Sequence, residues 1–223
     1  MRNGWKGAIK LRVEAETMTL YAVTDRAWAK KKTLMEQVEE ALEGGITFLQ
    51  LREKNLSQEE FIKEAKEMKE LAAKYKVPFV INDNIDVALA VDADGVHIGQ
   101  DDMSVEEARK LLGEDKIIGV SAHNVNEAMK AQKGGADYLG VGAVCATSTK
   151  KDANVVSKEE IKKIKEAVDI PIVAIGGIKK DNIHTLKGTG VDGVAVVSAI
   201  FAAEDIKETS KELLDTVKEM KQD

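Results

Sequence analysis

The chain has little of several things that mark special classes of protein. Its 223 residues include one cysteine and two prolines, and aromatic residues make up 4%. The single cysteine, Cys145, cannot form an internal disulfide, so a disulfide scaffold is excluded and a reducing, cytoplasmic location is expected. No apolar run is long enough to span a membrane, and residues 1–18 carry charges throughout, so neither a signal peptide nor a spanning segment is predicted.

Long blocks of one charge are also missing. The chain has 33 basic and 39 acidic residues, for a net charge of −6. Nucleic-acid binding is not expected, because it requires a cationic surface for the phosphate backbone. The composition is that of a globular protein, and the length corresponds to a single domain at about 100–200 residues per domain.

Short apolar runs alternate with longer segments in which apolar residues have helical spacing, as in Leu34, Val38 and Leu42. The runs are 19–23, 47–51, 78–81, 95–98, 116–120, 138–144, 171–175 and 193–197. Nearly continuous apolar strands are typical of a parallel sheet covered by helices. An α/β fold is therefore predicted: a (β/α)8 TIM barrel over residues 19–223, in a single domain with a short N-terminal helical extension over residues 1–18. A doubly wound sheet is the alternative, because periodicity does not show closure.

The segments that lead into strands resemble one another. EGGITFLQ, DADGVHIG, GGADYLGVG and TGVDGVAVV each place glycine before or at the start of a strand. Glycine in these places predicts left-handed helix ends followed by short loops.

In a barrel of this type, reactive groups lie at the carboxyl ends of the strands. After the second strand, Gln50, Arg52 and Lys54 have the same parity and would point the same way in an extended segment. Arginine and lysine aimed together suit a phosphate group. The alternative is a solvated loop before the helix that begins near Ser57.

The third strand ends in Asn82 and Asp83, and the fourth runs from His97 toward Asp102. Asp83 and Asp102 on neighbouring strands could hold Mg²⁺ and leave open positions for water and a substrate phosphate. Asp102 could instead cap the next helix. His97 is predicted to form part of the pocket wall rather than to act as an acid or base.

Hydroxyl groups follow the fifth and sixth strands. Ser121 could bind a phosphate oxygen or cap the helix that begins near Val125. Thr147, Thr149 and Lys150 lie in a long loop that could close over an anion. A solvated loop is the alternative.

Glycine and main-chain groups follow the last two strands, at Gly177, Val197 and Ser198. The loops after the seventh and eighth strands of such barrels commonly bind phosphate through main-chain N–H groups. Together with the charged groups on strands two to six, this predicts two anion sites. The first suits a pyrophosphate leaving group, and the second suits a phosphate monoester.

Nine motifs occur in the order and spacing typical of one family. They are LYAVTDR, QLREK, INDN, GVHIGQDD, IGVSAHN, GADYLGVG, TSTKKD, PIVAIGGI and VAVVSAIF, between Leu20 and Phe201. The chain therefore resembles the thiamine phosphate synthases. The resemblance implies a TIM-barrel transferase that uses Mg²⁺ and two small-molecule substrates, a hydroxymethylpyrimidine diphosphate and a hydroxyethylthiazole phosphate or its carboxylated form. The products would be thiamine phosphate and pyrophosphate.

The resemblance also implies a role for each matching residue. The pyrimidine diphosphate would be held by Gln50, Arg52 and Lys54, its pyrophosphate by Asn82, Ser121 and Lys150, and magnesium by Asp83 and Asp102. The thiazole phosphate would contact Thr147, Thr149, Gly177, Val197 and Ser198. Catalysis would depend on Arg52, Lys54, Ser121 and Lys150. The chain departs from the family at 142–146, where small residues replace a proline and an aromatic.

Two alternatives remain at this level. A thiazole tautomerase of the same superfamily would use His123 as an acid and base, but Asn82, Asp83 and Asp102 argue against an enzyme with no pyrophosphate to bind. The second alternative is a non-catalytic protein that binds thiazole phosphate. Neither a nucleic-acid nor a membrane partner is expected, and barrels of this type often form homodimers.

Overall fold

Eight parallel strands form a closed barrel, in which each strand pairs with the next and the last pairs with the first. The computed structural model describes residues 12–145 and 155–222. The strands are β1 (Leu20–Val23), β2 (Phe48–Leu51), β3 (Phe79–Asn82), β4 (Gly95–Ile98), β5 (Ile117–Ala122), β6 (Tyr138–Gly142), β7 (Ile172–Ile175) and β8 (Gly193–Val196). The TIM-barrel prediction is confirmed, and closure of the sheet excludes the doubly wound alternative.

Helices cover the outside of the barrel. They are α1 (Leu34–Glu43), α2 (Gln58–Lys74), α3 (Ile85–Ala90), α4 (Val105–Leu112), α5 (Val125–Gly134), α6 (Lys158–Ala167), α7 (Ser198–Phe201) and α8 (Ile206–Lys221). Ser104 caps α4 and Asn124 caps α5 through their side chains. Neither Asp102 nor Ser121 is the cap that the sequence left as an alternative, so both side chains have other partners.

The seventh unit differs from the expected alternation of strand and helix. Between β7 and β8 the structure has one short 3-10 helix, Ile183–Leu186. Gly188 and Gly190, which follow it, have φ values of +74° and +79°. Left-handed backbone two residues apart stops helix propagation, because only glycine adopts it readily. The loop after β7 is therefore compact.

The core has two parts. A large cluster fills the space between the strands and the helices, and a smaller one fills the barrel itself. The smaller cluster includes three packed rings, with Phe48 and Tyr138 lying 4.7 and 5.9 Å from Tyr21 between centroids. Val13 and Met18 join this cluster. The described start of the chain therefore packs into the barrel interior.

The residues before β1 form a 3-10 helix at Ala15–Met18. Residues 1–11 lie outside the described residues, so the predicted N-terminal helical extension stays a prediction. In the part of the chain that the structure covers, no helix is long and apolar enough to cross a membrane.

The glycines before the strands serve two purposes. Gly135 ends α5 in the left-handed conformation, as predicted. Gly95 and Gly193 differ, because each is the first residue of its strand and has no positive φ. A Cβ atom on Gly95 would lie 1.9 Å from the carbonyl oxygen of Ile117. Here glycine permits close approach of neighbouring strands.

Candidate active site

A cavity of about 310 Å³ opens at the carboxyl ends of the strands. Its volume is in the range of small-molecule sites. Eight of the predicted site residues line it: Gln50, Arg52, Asn82, His97, Ser121, Gly177, Val197 and Ser198. The fold therefore brings together residues that lie far apart in the sequence. Their roles stay predictions.

The position of Lys54 differs from the one predicted from its parity with Gln50 and Arg52. Strand β2 ends at Leu51 and the chain bends at residues 54–56. Gln50 and Arg52 line the main cavity, whereas Lys54 lines a neighbouring cleft with Asn82. The alternation of side-chain directions in an extended segment stops where the strand ends. Because Asn82 lines both spaces, the two are adjacent.

A chain of hydrogen bonds runs through the barrel to the cavity. Gln50 Nε2 donates to Tyr21 Oη, which lies 2.8 Å from Tyr138 Oη. Tyr138 Oη lies 3.0 Å from His97 Nδ1, and His97 Nε2 lies 3.0 Å from Ser121 Oγ. Both tyrosines are fully buried, and burial raises their pKa values well above the usual range. They therefore stay protonated at neutral pH.

One set of directions satisfies every group of this chain of hydrogen bonds. In it Tyr21, which accepts from Gln50, donates to Tyr138, and Tyr138 donates to His97 Nδ1. The remaining proton of a neutral His97 then lies on Nε2 and is donated to Ser121. A nucleophilic serine requires a histidine that accepts its proton. With these directions, Ser121 would donate its proton to a ligand rather than to His97.

Gly119 leaves space for the tyrosine in the middle of these hydrogen bonds. A Cβ atom on Gly119 would lie 2.0 Å from the Tyr138 ring. The absence of a side chain on β5 thus allows the tyrosine of β6 to lie across the barrel. Tyr21 and Tyr138 are not among the site residues predicted from the sequence. Their position inside strand runs, with the same inward parity as Val23 and Gly140, is the signal that could have indicated them.

Asp83 and Asp102 come together at the rim, as predicted. Their side chains are hydrogen bonded to each other. Asp83 has the positive φ of 61°, and its main-chain N–H donates to the carbonyl of His97 at 2.8 Å. Asp102 Oδ2 accepts from Gly99 N at 2.6 Å. The two carboxyl groups are therefore held by main-chain contacts in adjacent loops.

The environment of this pair raises the pKa of Asp83 to about 6. Asp83 is exposed by surface area, yet the walls of the cleft partly desolvate its carboxyl, and this is the largest cause. The charge of Asp102 and the hydrogen bond with it raise the value further, whereas Asn82 and Arg52 lower it. A cation between the two carboxylates would relieve their repulsion.

The acid pair fits Mg²⁺. Within residues 12–145 and 155–222, no three His, Cys, Asp or Glu side chains gather into a metal site. Two carboxylates are nonetheless the number that Mg²⁺ commonly takes from a protein, because water and substrate phosphates complete its coordination. Transition metals such as zinc prefer imidazole and thiolate ligands. The donor set thus favours magnesium.

The loops after β7 and β8 form the other side of the cavity. Gly176 and Gly177 have φ values of +98° and +67°. Asn182 Nδ2 donates to the carbonyl of Gly177 at 2.9 Å, which fixes the loop. Val197 precedes α7, and its side chain does not cap that helix. Binding of a phosphate by main-chain N–H groups of these loops stays a prediction.

The segment with the small residues packs against this loop. Val144 N donates to the carbonyl of Ile175 at 3.0 Å, and Cys145 N donates to that of Gly176 at 3.0 Å. A Cβ atom on Gly176 would lie 2.6 Å from the Cβ of Ala143. The small side chain of Ala143 therefore belongs to a close contact between two loops.

Several candidate residues lie at or beyond the limits of this site. His123 lines the cavity and pairs through Nδ1 with Glu127 Oε2 at 2.7 Å. Thr147, Thr149 and Lys150 lie outside the described residues. Their predicted contacts with phosphate groups stay predictions.

Comparison with known proteins agrees with this geometry. The family model described as thiamine monophosphate synthase matches residues 20–200. The chain belongs to the thiamine monophosphate synthase family. A thiamine-phosphate synthase of Clostridium acetobutylicum is 53% identical over 199 residues, which are 89% of this chain and 94% of that protein. One from Methanobrevibacter smithii is 52% identical over 201 residues, which are 90% and 96% of the two chains.

A solved structure of the same family has the same fold. Thiamine phosphate pyrophosphorylase from Pyrococcus furiosus superimposes with a TM-score of 0.85 at 45% identity. The match covers 92% of this chain and 98% of that one. Membership in the thiamine monophosphate synthase family therefore extends over the whole barrel, as the motifs predicted.

Proposed function

We propose that the protein joins a hydroxymethylpyrimidine diphosphate to a hydroxyethylthiazole phosphate, and that the products are thiamine phosphate and pyrophosphate. The observation that supports this most directly is the division of the anion-binding groups. Arg52, Lys54 and the acid pair follow strands β2 to β4, whereas the main-chain cradle at Gly177 follows β7. A reaction with two phosphorylated substrates needs two such sites.

Departure of pyrophosphate is the step that the charged groups would assist. Arg52 and Lys54 would attract the diphosphate, and Asn82 and Ser121 would donate hydrogen bonds to it. Asp83 and Asp102 would hold Mg²⁺, and the chemistry supplied by the bound ion is neutralisation of charge on the leaving group.

The remaining steps depend on the positions of the two substrates more than on reactive side chains. Loss of pyrophosphate leaves a cation at the methylene of the electron-rich pyrimidine, and the thiazole nitrogen attacks it. The cavity, with Gln50 on one side and Gly177 and Ser198 on the other, would hold the two rings together and exclude water. Thr147, Thr149 and Lys150 would complete this enclosure.

The direct test is to incubate the purified protein with both phosphorylated heterocycles, with and without Mg²⁺, and to measure thiamine phosphate by chromatography. We expect product only when Mg²⁺ is present. Isomerisation of the carboxylated thiazole phosphate without pyrophosphate release would identify a tautomerase that uses His123. Binding of the thiazole phosphate with no product would identify the non-catalytic alternative. Either result contradicts the proposal.

A further inference from the structure

Three consecutive residues of the loop after β1 each contact the segment that carries the cations of the site. Thr24 makes two of these contacts: its main-chain N–H donates to the carbonyl of Gln50 at 3.0 Å, and its Oγ1 accepts from Arg52 N at 2.9 Å. Thr24 is fully buried. The backbone on both sides of Leu51 is thereby fixed to the neighbouring loop.

Asp25 reaches the Arg52 side chain itself. Its Oδ2 lies 3.8 Å from Arg52 Nη1, and its Oδ1 accepts from Ala27 N at 3.0 Å. The second bond caps a 3-10 helix at Arg26–Trp28, so Asp25 is held in place. The guanidinium of Arg52 is therefore restrained from the same loop.

Arg26 forms the strongest contact of the three. Its Nη2 and Nε lie 2.9 and 3.2 Å from the two carboxylate oxygens of Glu53. The same Nη2 lies 2.7 and 2.6 Å from the carboxylate oxygens of Glu64 on α2. The Glu53 side chain is 3% exposed, whereas that of Arg26 is 45% exposed. A single arginine thus joins two carboxylates beside the site.

The position of Glu53 connects its ion pair with Arg26 to ligand binding. Glu53 stands between Arg52 and Lys54 in the sequence, and both cations would face a diphosphate. A carboxylate with so little exposure needs a counter-charge, because an unpaired buried charge is costly. Without Arg26, the nearest cations along the chain would be the two that the ligand needs. Among the described residues, Lys54 forms no ion pair.

Glu64 shows that this cluster is crowded with negative charge. Burial raises the pKa of Glu64, the contact with Arg26 lowers it, and nearby Glu53 raises it, with a net increase. Loss of Arg26 would leave two facing carboxylates close to a site for anions.

We propose that Arg26 is a positioning residue, which neutralises Glu53 and so keeps Arg52 and Lys54 available for the anionic ligand. This rests on the proposed function insofar as the ligand is a diphosphate. Arg26 does not line the cavity, so it would act through its neighbours rather than by contact with substrate.

The test compares the affinity for inorganic pyrophosphate with Mg²⁺, measured by calorimetry, among matched variants. Arg26→Ala is expected to weaken binding about tenfold. In the double variant with Glu53→Gln, binding is expected to return to within about twofold of the wild type, because the unpaired charge is gone. The control is Lys180→Ala, which removes one cation from an exposed pair with Glu212 and should leave binding unchanged.

Steady-state kinetics gives an independent measure. We expect Arg26→Ala to raise KM for the diphosphate substrate about tenfold, with KM for the thiazole phosphate and kcat changed less than about twofold. Arg26→Lys should fall between the wild type and Arg26→Ala, since it keeps the charge and loses the fork geometry. If Arg26→Ala does not fold, Arg26→Lys with and without Glu53→Gln supplies the same comparison.

Three results would overturn the inference: unchanged pyrophosphate affinity in Arg26→Ala with only a lower melting temperature, failure of Glu53→Gln to restore affinity, or a wild-type protein that does not bind pyrophosphate. Failure of the proposed function looks different. In that case the wild type binds pyrophosphate and the variants follow the expected pattern, but no thiamine phosphate forms.

Discussion

The two ends of the barrel differ in how some of their aspartates are paired. At the amino end, Asp94, Asp137 and Asp192 stand just before β4, β6 and β8. Each accepts a hydrogen bond from a main-chain N–H at the start of the preceding strand, at 2.7, 2.8 and 2.8 Å respectively. Asp137 also pairs with Arg12 at 2.7 Å and with Arg109 at 2.6 Å. These three carboxylates have partners and connect neighbouring strands.

At the carboxyl end, two like charges approach each other, beside ion pairs such as that of Arg26 with Glu53. Asp83 and Asp102 share a rim, and the charge of Asp102 raises the pKa of Asp83. Lys54 forms no ion pair within the described part of the chain. Folded proteins retain repelling or unpaired charges of this kind at sites where a bound ligand or ion interacts with them. The comparison indicates that one end of the barrel provides stability and the other provides the site.

The largest expected effect is at the acid pair. Asp83→Ala or Asp102→Ala should lower turnover by about a thousandfold, because the proposed Mg²⁺ would lose one of its two protein ligands. Removal of the repulsion is stabilising, but Asp102→Ala also removes the partner of Gly99 N and Asp83→Ala places alanine at a positive φ, so turnover is compared per folded molecule. Asp86→Ala, in the same cleft but outside the pair, is the control and should retain activity. Full magnesium-dependent turnover in an acid-pair variant would contradict the assignment.

The opposite result is expected at the amino end. Asp137→Ala should lower the free energy of unfolding by about 3 kcal/mol, because two arginines and a buried N–H lose their partner. Turnover per folded molecule should stay unchanged. Denaturant titration and kinetics at low temperature measure the two quantities. Glu114→Ala removes the exposed partner of Arg12 and should cost little; an equal loss in both variants would contradict a specific role of Asp137.

Lys54 allows a test of the division into two anion sites. Lys54→Ala should weaken binding of the pyrimidine diphosphate by about tenfold and that of the thiazole phosphate by less than about twofold. Calorimetry with each ligand separately gives both numbers. Lys66→Ala, an exposed lysine on α2, serves as the control. Equal losses for the two ligands would mean that they share one anion site.

Tyr138→Phe tests the direction of the buried chain. The ring stays in the space beside Gly119, but the hydroxyl that lies 3.0 Å from His97 Nδ1 is removed. We expect a decrease of about fivefold in kcat/KM for the diphosphate, because Ser121 would no longer present its proton in one fixed direction. Steady-state kinetics measures it. Unchanged kinetics together with a changed melting temperature would make the chain purely structural.

The smallest effect concerns pH. A proton on Asp83 competes with the metal, and its pKa is about 6 in the absence of metal. Magnesium affinity should therefore be nearly constant above pH 7 and weaken progressively as the pH falls through 6. Calorimetric titration with MgCl₂ at several pH values measures this. A constant affinity between pH 5 and 8 would show that Asp83 is not a ligand.

Much of the site could be predicted from the sequence because polar residues follow apolar strand runs at the same barrel end. Gln50, Asn82 and Ser121 are of this kind, and the structure brings them to one cavity. Lys54 could not be placed from parity, since the sequence does not state where β2 ends. Arg26 and Tyr138 were missed because their importance depends on a neighbour in another unit.

The sequence by itself determined the fold class and the approximate positions of the strands, because a repeating pattern of apolar runs is a local property that a parallel barrel satisfies along its whole length. Only the tertiary structure decided which charges meet. Asp137 pairs with two arginines, whereas Asp83 lies beside another carboxylate, although both are aspartates next to strands. The difference arises from barrel closure, because electrostatic interactions depend on distances across strands that are far apart in the chain.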